Sequence, residues 1–279
     1  MLWSLVASVH NDEAVFQSTL LRSPALASAH QVFCQKGFPN VSAAYNAALR
    51  ETKDDVLVFA HPDVYLPRAW SESFDKSINW LAREDPEWGV AGMFGCSQDG
   101  APRGFAYSVG LGGFIGSPFS EPREVRTLDE FVFAVRRNSG LAFDENIPGA
   151  QSVLCTADLC LQAAKKGFRS YALPCFALHN SNRMSYLPLG YWKCYFYMRK
   201  KWNEVLTVDV PDSRITAGSL RMIKHATRGL LRRGRGHRVI TRVSDPAALY
   251  EQLRKGVTFA FGETDARLTT REKAVGGPL

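Results

Sequence analysis

The first sixty residues alternate apolar runs with amphipathic segments in a fixed order, and that order restricts the fold more than any other feature of the chain. Residues 2–9 (LWSLVASV) read as a buried strand, and a helix is expected from about Glu13 to Leu21. HQVFC at 30–34 reads as a second strand, and Ser42 is placed to cap a helix through AAYNAALRET. DVLVFAH at 55–61 reads as a third strand, apolar and rich in β-branched residues. Strand, helix, strand, helix, strand within ~60 residues predicts an α/β domain, a mostly parallel sheet flanked by helices.

The pattern continues. A helix is expected over 67–84, started by Pro67, and WGVAGMFGC (88–96) reads as a fourth strand. Residues 97–122 are rich in Gly, Ser and Pro and are expected to form a loop or hairpin over a site. EFVFAVRR (130–137) and SYALPCFALHN (170–180) read as strands, with a helix from Ala157 to a stop at Gly167 between them. No apolar run approaches the ~20 residues of a membrane span. The apolar start MLWSLVASV lacks a basic region before it and meets Asp12 and Glu13 at once, so it reads as a strand rather than a signal peptide. Six cysteines occur with no C-x-x-C pair and no zinc spacing, and a reduced, cytoplasmic protein is expected.

Charge is distributed unevenly. The chain carries 34 Lys and Arg against 27 Asp and Glu, a net +7. From Arg214 to Arg242 there is no acid at all, and eight cations fall between 221 and 242. A domain boundary is drawn at 210, giving an α/β domain over 1–210 and a basic extension over 211–279. A basic amphipathic helix at 220–238 suits an anionic membrane surface, and a solvated helix packed on the domain fits the same charges. No aromatic residues interleave with these cations, so nucleic acid is not an expected partner.

Ligands of open α/β sheets bind at the carboxyl ends of the strands. Three polar groups stand at such ends: His10–Asn11–Asp12–Glu13, His61–Pro62–Asp63 and His179–Asn180–Ser181. Asp63 has two readings, a carboxylate for a divalent cation that also touches phosphate, or a cap for the helix that follows. His179 is either a structural histidine or a second ligand to Mn2+ or Mg2+.

The segment NVSAAYNAALRETKDDVLVFAHPDVYLP (40–67) resembles the core of the streptomycin-biosynthesis-type glycosyltransferase-like family, which is related to family 2 glycosyltransferases of the GT-A fold. Ser42, Tyr45, Asn46, His61, Asp63 and Val64 match its S-x-x-x-YN and H-x-D-V motifs. TLDE (127–130), FDEN (143–146), ADLCLQAAKKGF (157–168), LHNS (178–181) and KKW (200–202) follow in the family's order. The resemblance covers residues 1 to about 205.

The resemblance implies a GT-A-like domain that transfers a sugar, with inversion, from a nucleotide-sugar donor to a glycan, lipid-linked or small-molecule acceptor. Asp63 and His179 match metal ligands for Mn2+ or Mg2+, and His10, Asn11, Asn46, His61 and Asp63 match the donor side. Asp158 matches the acid of the D-L-C-L helix and is the first choice of base, with Glu145 and Asp144 behind it. A helix N-terminal charge is the other reading of Asp158. Where the wider superfamily has its base, this chain has Thr156. Asp129 and Glu130 fall on the acceptor side or are merely solvated. His61 in place of an acid leaves a second expectation, a degenerate module that binds a nucleotide or glycan without turnover.

Overall fold

Val56, Val58 and Ala60 of one strand pack into a different apolar layer from Leu57 and Phe59, and every one of these side chains is fully buried. That period-2 alternation, apolar on both faces, is what a central strand between two helical layers requires. The computed structural model describes residues 1–182, 187, 189–218 and 241–256. Its first half runs β1 (Trp3–Ser8), α1 (Glu13–Ser18), β2 (Val32–Gln35), α2 (Val41–Glu51), β3 (Val56–Ala60), β4 (Val64–Tyr65) and α3 (Arg68–Glu84). Six strands follow: β5 (Trp88–Gly92), β6 (Phe94–Cys96), β7 (Pro102–Ser108), β8 (Gly113–Gly116), β9 (Arg123–Val125) and β10 (Thr127–Leu128). Then come β11 (Val132–Arg136), α4 (Cys155–Lys165), β12 (Arg169–Ala172), β13 (Ala177–His179) and α5 (Leu189–Lys201). The hairpin β14 (Val208–Val210) and β15 (Ser213–Ile215) and the helix α6 (Pro246–Arg254) complete the described chain.

The main sheet has seven strands in the order β2-β1-β3-β11-β5-β12-β9. The α/β class stands, and the sheet is mixed: β1 with β2, β1 with β3 and β5 with β12 are parallel, whereas β11 runs antiparallel to both its neighbours and β9 to β12. The chain leaves β1 through α1 to reach β2 on one side and returns through α2 to β3 on the other. Phe16 of α1 packs with Trp70 and Phe74 of α3 under one face, and Tyr45 of α2 packs with residues of α4 and α5 over the other. The carboxyl ends of β1 and β3 therefore flank a topological switch point, where such sheets open a crevice.

Several expected elements change shape. The cap of α2 is Asn40, whose side chain accepts a hydrogen bond from Ala43 N at 2.8 Å; Ser42 lies inside the helix and is buried. The run 88–96 is two strands in two sheets, turned at Met93, and 170–180 likewise divides into β12 and β13. β6, β7, β13, β4 and β10 form a second sheet with β8 on its flank. The Gly-rich stretch supplies its β7–β8 hairpin. Gly104 at φ +138 is needed there, since a Cβ would stand 2.3 Å from Met93 O.

The boundary at 210 falls inside the β14–β15 hairpin, whose Val208, Val210 and Ile215 are buried in the same core as Tyr45 and Phe59. Beyond it, Tyr250 of α6 is buried with Tyr65, Phe105 and Phe176. Described parts of the extension thus pack on the α/β core. The basic helix expected at 220–238 and the strand expected after α6 lie outside the described residues, as do the contacts with membrane or nucleic acid that were weighed for them. No helix among the described residues is long and apolar enough to cross a membrane.

Candidate functional site

Three side chains from two sheets converge at the switch point. β3 ends at Ala60, and His61 N donates to Phe131 O at 2.9 Å, which fixes the turn that follows. Val64 N closes that turn on His61 O at 3.1 Å. The short β4 then pairs antiparallel with β13, His179 opposite Val64, and Asn180 N donates to Asp63 O at 2.8 Å. This register is what brings a histidine 116 positions downstream against the turn. One ligand atom from each of His61, Asp63 and His179 lies within 4.8 Å of the others. His179 also stacks on the Phe131 ring, centroids 5.3 Å apart, so its plane is held by packing as well as by Asp63.

The electrostatics of the group are those of coupled opposite charges. Burial alone raises the Asp63 carboxyl, yet His179, His61 and an Arg242 hydrogen bond outweigh it and hold Asp63 well below the usual carboxylate range. Burial likewise lowers His179, but the charge and hydrogen bond of Asp63 raise it above its ordinary value. His61 is lowered, chiefly by burial. Two imidazoles and one carboxylate are a borderline donor set that fits Mn2+ better than Mg2+.

Beside the triad lies a pocket of about 310 Å³, the size range of small-ligand sites. Ser8, His10 and Asn11 from the end of β1 line it, together with Tyr45, His61, Asp63, Gln151 and Arg242. Ser8 Oγ and His10 Nε2 are buried there without a hydrogen-bond partner among the described residues. Buried polar atoms are rarely left so, and both belong to residues that line this pocket.

The sequence expectations divide on this geometry. His10, Asn11, His61, Asp63 and His179 come together. Asn46 does not line the pocket: its Oδ1 accepts from Phe143 N at 2.8 Å, and its Nδ2 donates to Phe143 O at 2.9 Å and to Glu145 Oε1 at 2.8 Å. It clamps the 143–145 loop, as Tyr45 beside it fills the ring cluster of Phe59, Phe133 and Phe143. Glu145 is held by that clamp. Asp158 is wholly buried and accepts from Gln162 at 2.7 Å, Trp202 Nε1 at 2.7 Å and Lys201 Nζ at 2.8 Å. Lys201 reaches Asp144 at 2.6 Å, and Tyr197 donates to it at 2.7 Å. Burial raises Asp144, yet these two bonds bring it down to about 2. Through Lys201, Asp158 of α4 and Asp144 of the 143–146 loop share one cation on α5, and the three form an ion-paired strut.

Other acids border the triad. Asp129 and Asp212 both raise His179 through their charge. Asp212 sits at the turn of the β14–β15 hairpin, which Thr127 and Arg126 pin to the core through Asp209 O, Thr207 O and Val205 O. Asp212 is itself exposed at that turn, and its pKa is raised, burial first and then the charge of Asp129. Burial, then Asp129 and Asp212, lift Glu130 well above the usual range. The sequence reading missed Asp212 and Arg242, which lie beyond the boundary it drew. The P-D step between two short β-runs was the available signal for the first, and none pointed to the second.

No protein-family model and no curated protein matches the chain by sequence. The resemblance to the streptomycin-biosynthesis-type family therefore rests on its motifs. Among solved structures the chain has distant likenesses. S. aureus TarS 1–349 in complex with UDP-GlcNAc is 15% identical over 85% of this chain and 74% of its own, with a TM-score of 0.47. GalNAc-T7 with UDP, GalNAc and Mn2+ is 12% identical over 64% of this chain, which spans 44% of that one, at 0.44. The mannosyltransferase PcManGT from Pyrobaculum calidifontis, in complex with GDP-Man and Mn2+, is 12% identical over 99% of this chain and 76% of its own, at 0.41. At such identities and scores these likenesses say nothing of activity.

Proposed function

We propose that the chain is a metal-dependent glycosyltransferase that moves a sugar from a nucleoside-diphosphate donor to an acceptor hydroxyl, with inversion. The observation that carries this reading is the convergence of His61, Asp63 and His179 beside a pocket that His61 and Asp63 line, and whose Ser8 and His10 have buried polar atoms without partners among the described residues. Ser8, His10 and Asn11 would contact the nucleoside, and the triad would hold Mn2+ or Mg2+ beside the diphosphate. The cation's chemistry there is to offset negative charge gathering on the leaving diphosphate. Asp212 is the base this reading favours over Asp158: it is exposed at its turn where Asp158 is wholly buried, its charge reaches His179 of the triad, and its pKa is raised, which makes it the more basic carboxylate. It takes the proton of the acceptor hydroxyl as that oxygen bonds to the anomeric carbon. The bond from that carbon to the diphosphate breaks, and its electron pair leaves with the diphosphate.

The second reading, a module that binds such a donor without turnover, is favoured by one observation. Asp158, the acid that matches the family's D-L-C-L helix, is wholly buried and accepts three hydrogen bonds within the strut. UDP- and GDP-linked sugars are the probes that separate the two. Thermal unfolding with each, with and without Mn2+, selects the donor, and release of free nucleoside diphosphate from it reads turnover. Stabilisation with turnover supports the enzyme, stabilisation without it supports the module, and no stabilisation by any donor contradicts both.

A further inference from the structure

Arg242 is the one Arg or Lys among the described residues that line the pocket, and it belongs to a segment far from the sheet in sequence. Its Nη2 donates to Asp63 Oδ2 at 3.0 Å while His179 Nε2 lies 3.3 Å from Asp63 Oδ1. Both carboxylate oxygens at the centre of the triad are therefore engaged, one by a triad member and one by this guanidinium. The segment that carries it is built in, since Asn180, 1% exposed and next in sequence to His179, clasps Val243 with two bonds. Its Oδ1 accepts from Val243 N at 2.8 Å, and its Nδ2 donates to Val243 O at 3.0 Å. Arg242 Nε adds a bond to Asn180 O at 3.1 Å, and Arg242 N one to Asn182 Oδ1 at 3.2 Å. On the far side α6 anchors the segment through Tyr250. Backbone position is thus fixed by Asn180, while the outer end of the guanidinium has its ion pair with Asp63 as its contact with an acid.

We infer that Arg242 is a ligand of the donor's diphosphate, and that its ion pair with Asp63 is the resting contact it gives up to become one. The inference rests on the proposed donor reading. A planar guanidinium with several donors matches the spaced oxygens of a diphosphate, and it is worth more there than a point charge. While paired with Asp63 it also competes with any cation that needs the same carboxylate. The residue therefore acts in two directions, weakening the bare triad for metal and strengthening the pocket for diphosphate. A role in holding the fold predicts neither sign.

The test is calorimetry on the full chain with Arg242→Ala and Arg242→Lys, using Mn2+ alone, then UDP and GDP with Mn2+, then uridine and guanosine. Thermal unfolding of each variant confirms that the Asn180 clasp keeps the fold. Arg242→Ala should bind Mn2+ alone several-fold more tightly than wild type. It should bind the preferred nucleoside diphosphate roughly tenfold to a hundredfold more weakly, and the nucleoside itself unchanged. Arg242→Lys should fall between. Unchanged diphosphate affinity, or Mn2+ affinity that does not rise, overturns the role of Arg242 while leaving the donor reading standing. Failure of wild type to bind either diphosphate overturns the donor reading and the role of Arg242 with it.

Discussion

Lys201 Nζ lies 2.8 Å from the carboxylate of Asp158, which has no exposed surface. The same ammonium holds Asp144 at 2.6 Å, so one cation serves two acids from two segments. Removing it leaves a buried carboxylate without its counter-charge, a change that ordinarily costs about 3–5 kcal/mol. Lys201→Met should lower the free energy of urea unfolding by that order. Asp158→Asn should also destabilise, by about 1–3 kcal/mol, with any turnover recovered in proportion to folded protein. Full stability with lost turnover in Asp158→Asn would restore it as the base.

Acid should reveal the same strut. Asp144 sits at about 2 in the folded chain, against an ordinary 3.8. A folded value below the unfolded one gives stability that is complete above the unfolded value and is lost as pH falls toward about 2. The contribution is about 1–2 kcal/mol once partial contact with solvent is allowed for. Urea unfolding from pH 5 to pH 2.5 should therefore fall more steeply for wild type than for Asp144→Asn. Parallel curves would contradict this.

Asn46 makes three hydrogen bonds to the 143–145 loop. Asn46→Ala should cost about 2–3 kcal/mol of stability, because the Phe143 backbone groups it satisfies are buried. Donor affinity should change little, and the two readouts together separate a clamp from a nucleotide contact.

Asp212→Asn keeps the shape of the β14–β15 turn and removes the basic oxygen. Under the proposed assignment, kcat falls by about a hundredfold or more with donor affinity unchanged. Wild-type turnover should rise through the region near pH 6, as the carboxylate ionises. Retained kcat in the variant would move the base to Asp129.

The early α/β pattern was legible because hydrophobic runs such as VLVFA and the helix behind Pro67 are local signals. Strand 88–96 was not legible as two strands, since an apolar run looks the same whether or not the chain changes sheets at Met93. The His61 and Asp63 turn could be read because it directly follows a strand. The motifs around Asp158 and Trp202 were also visible, but their meaning lay in a bond between residues 44 positions apart. Arg242 stands 179 positions from the Asp63 it contacts, and nothing in its own neighbourhood marks it.

The central claim is that Asp63 and the two histidines bind a cation together with a nucleoside diphosphate. Calorimetric titration of UDP and of GDP, each with and without Mn2+, on wild type and Asp63→Ala measures this most directly. Linkage requires that Mn2+ strengthen diphosphate binding by the same factor by which diphosphate strengthens Mn2+ binding. The account predicts a strengthening of at least tenfold for one nucleotide in wild type, absent in Asp63→Ala. Diphosphate binding that is equal with and without Mn2+, and that survives Asp63→Ala, would contradict it.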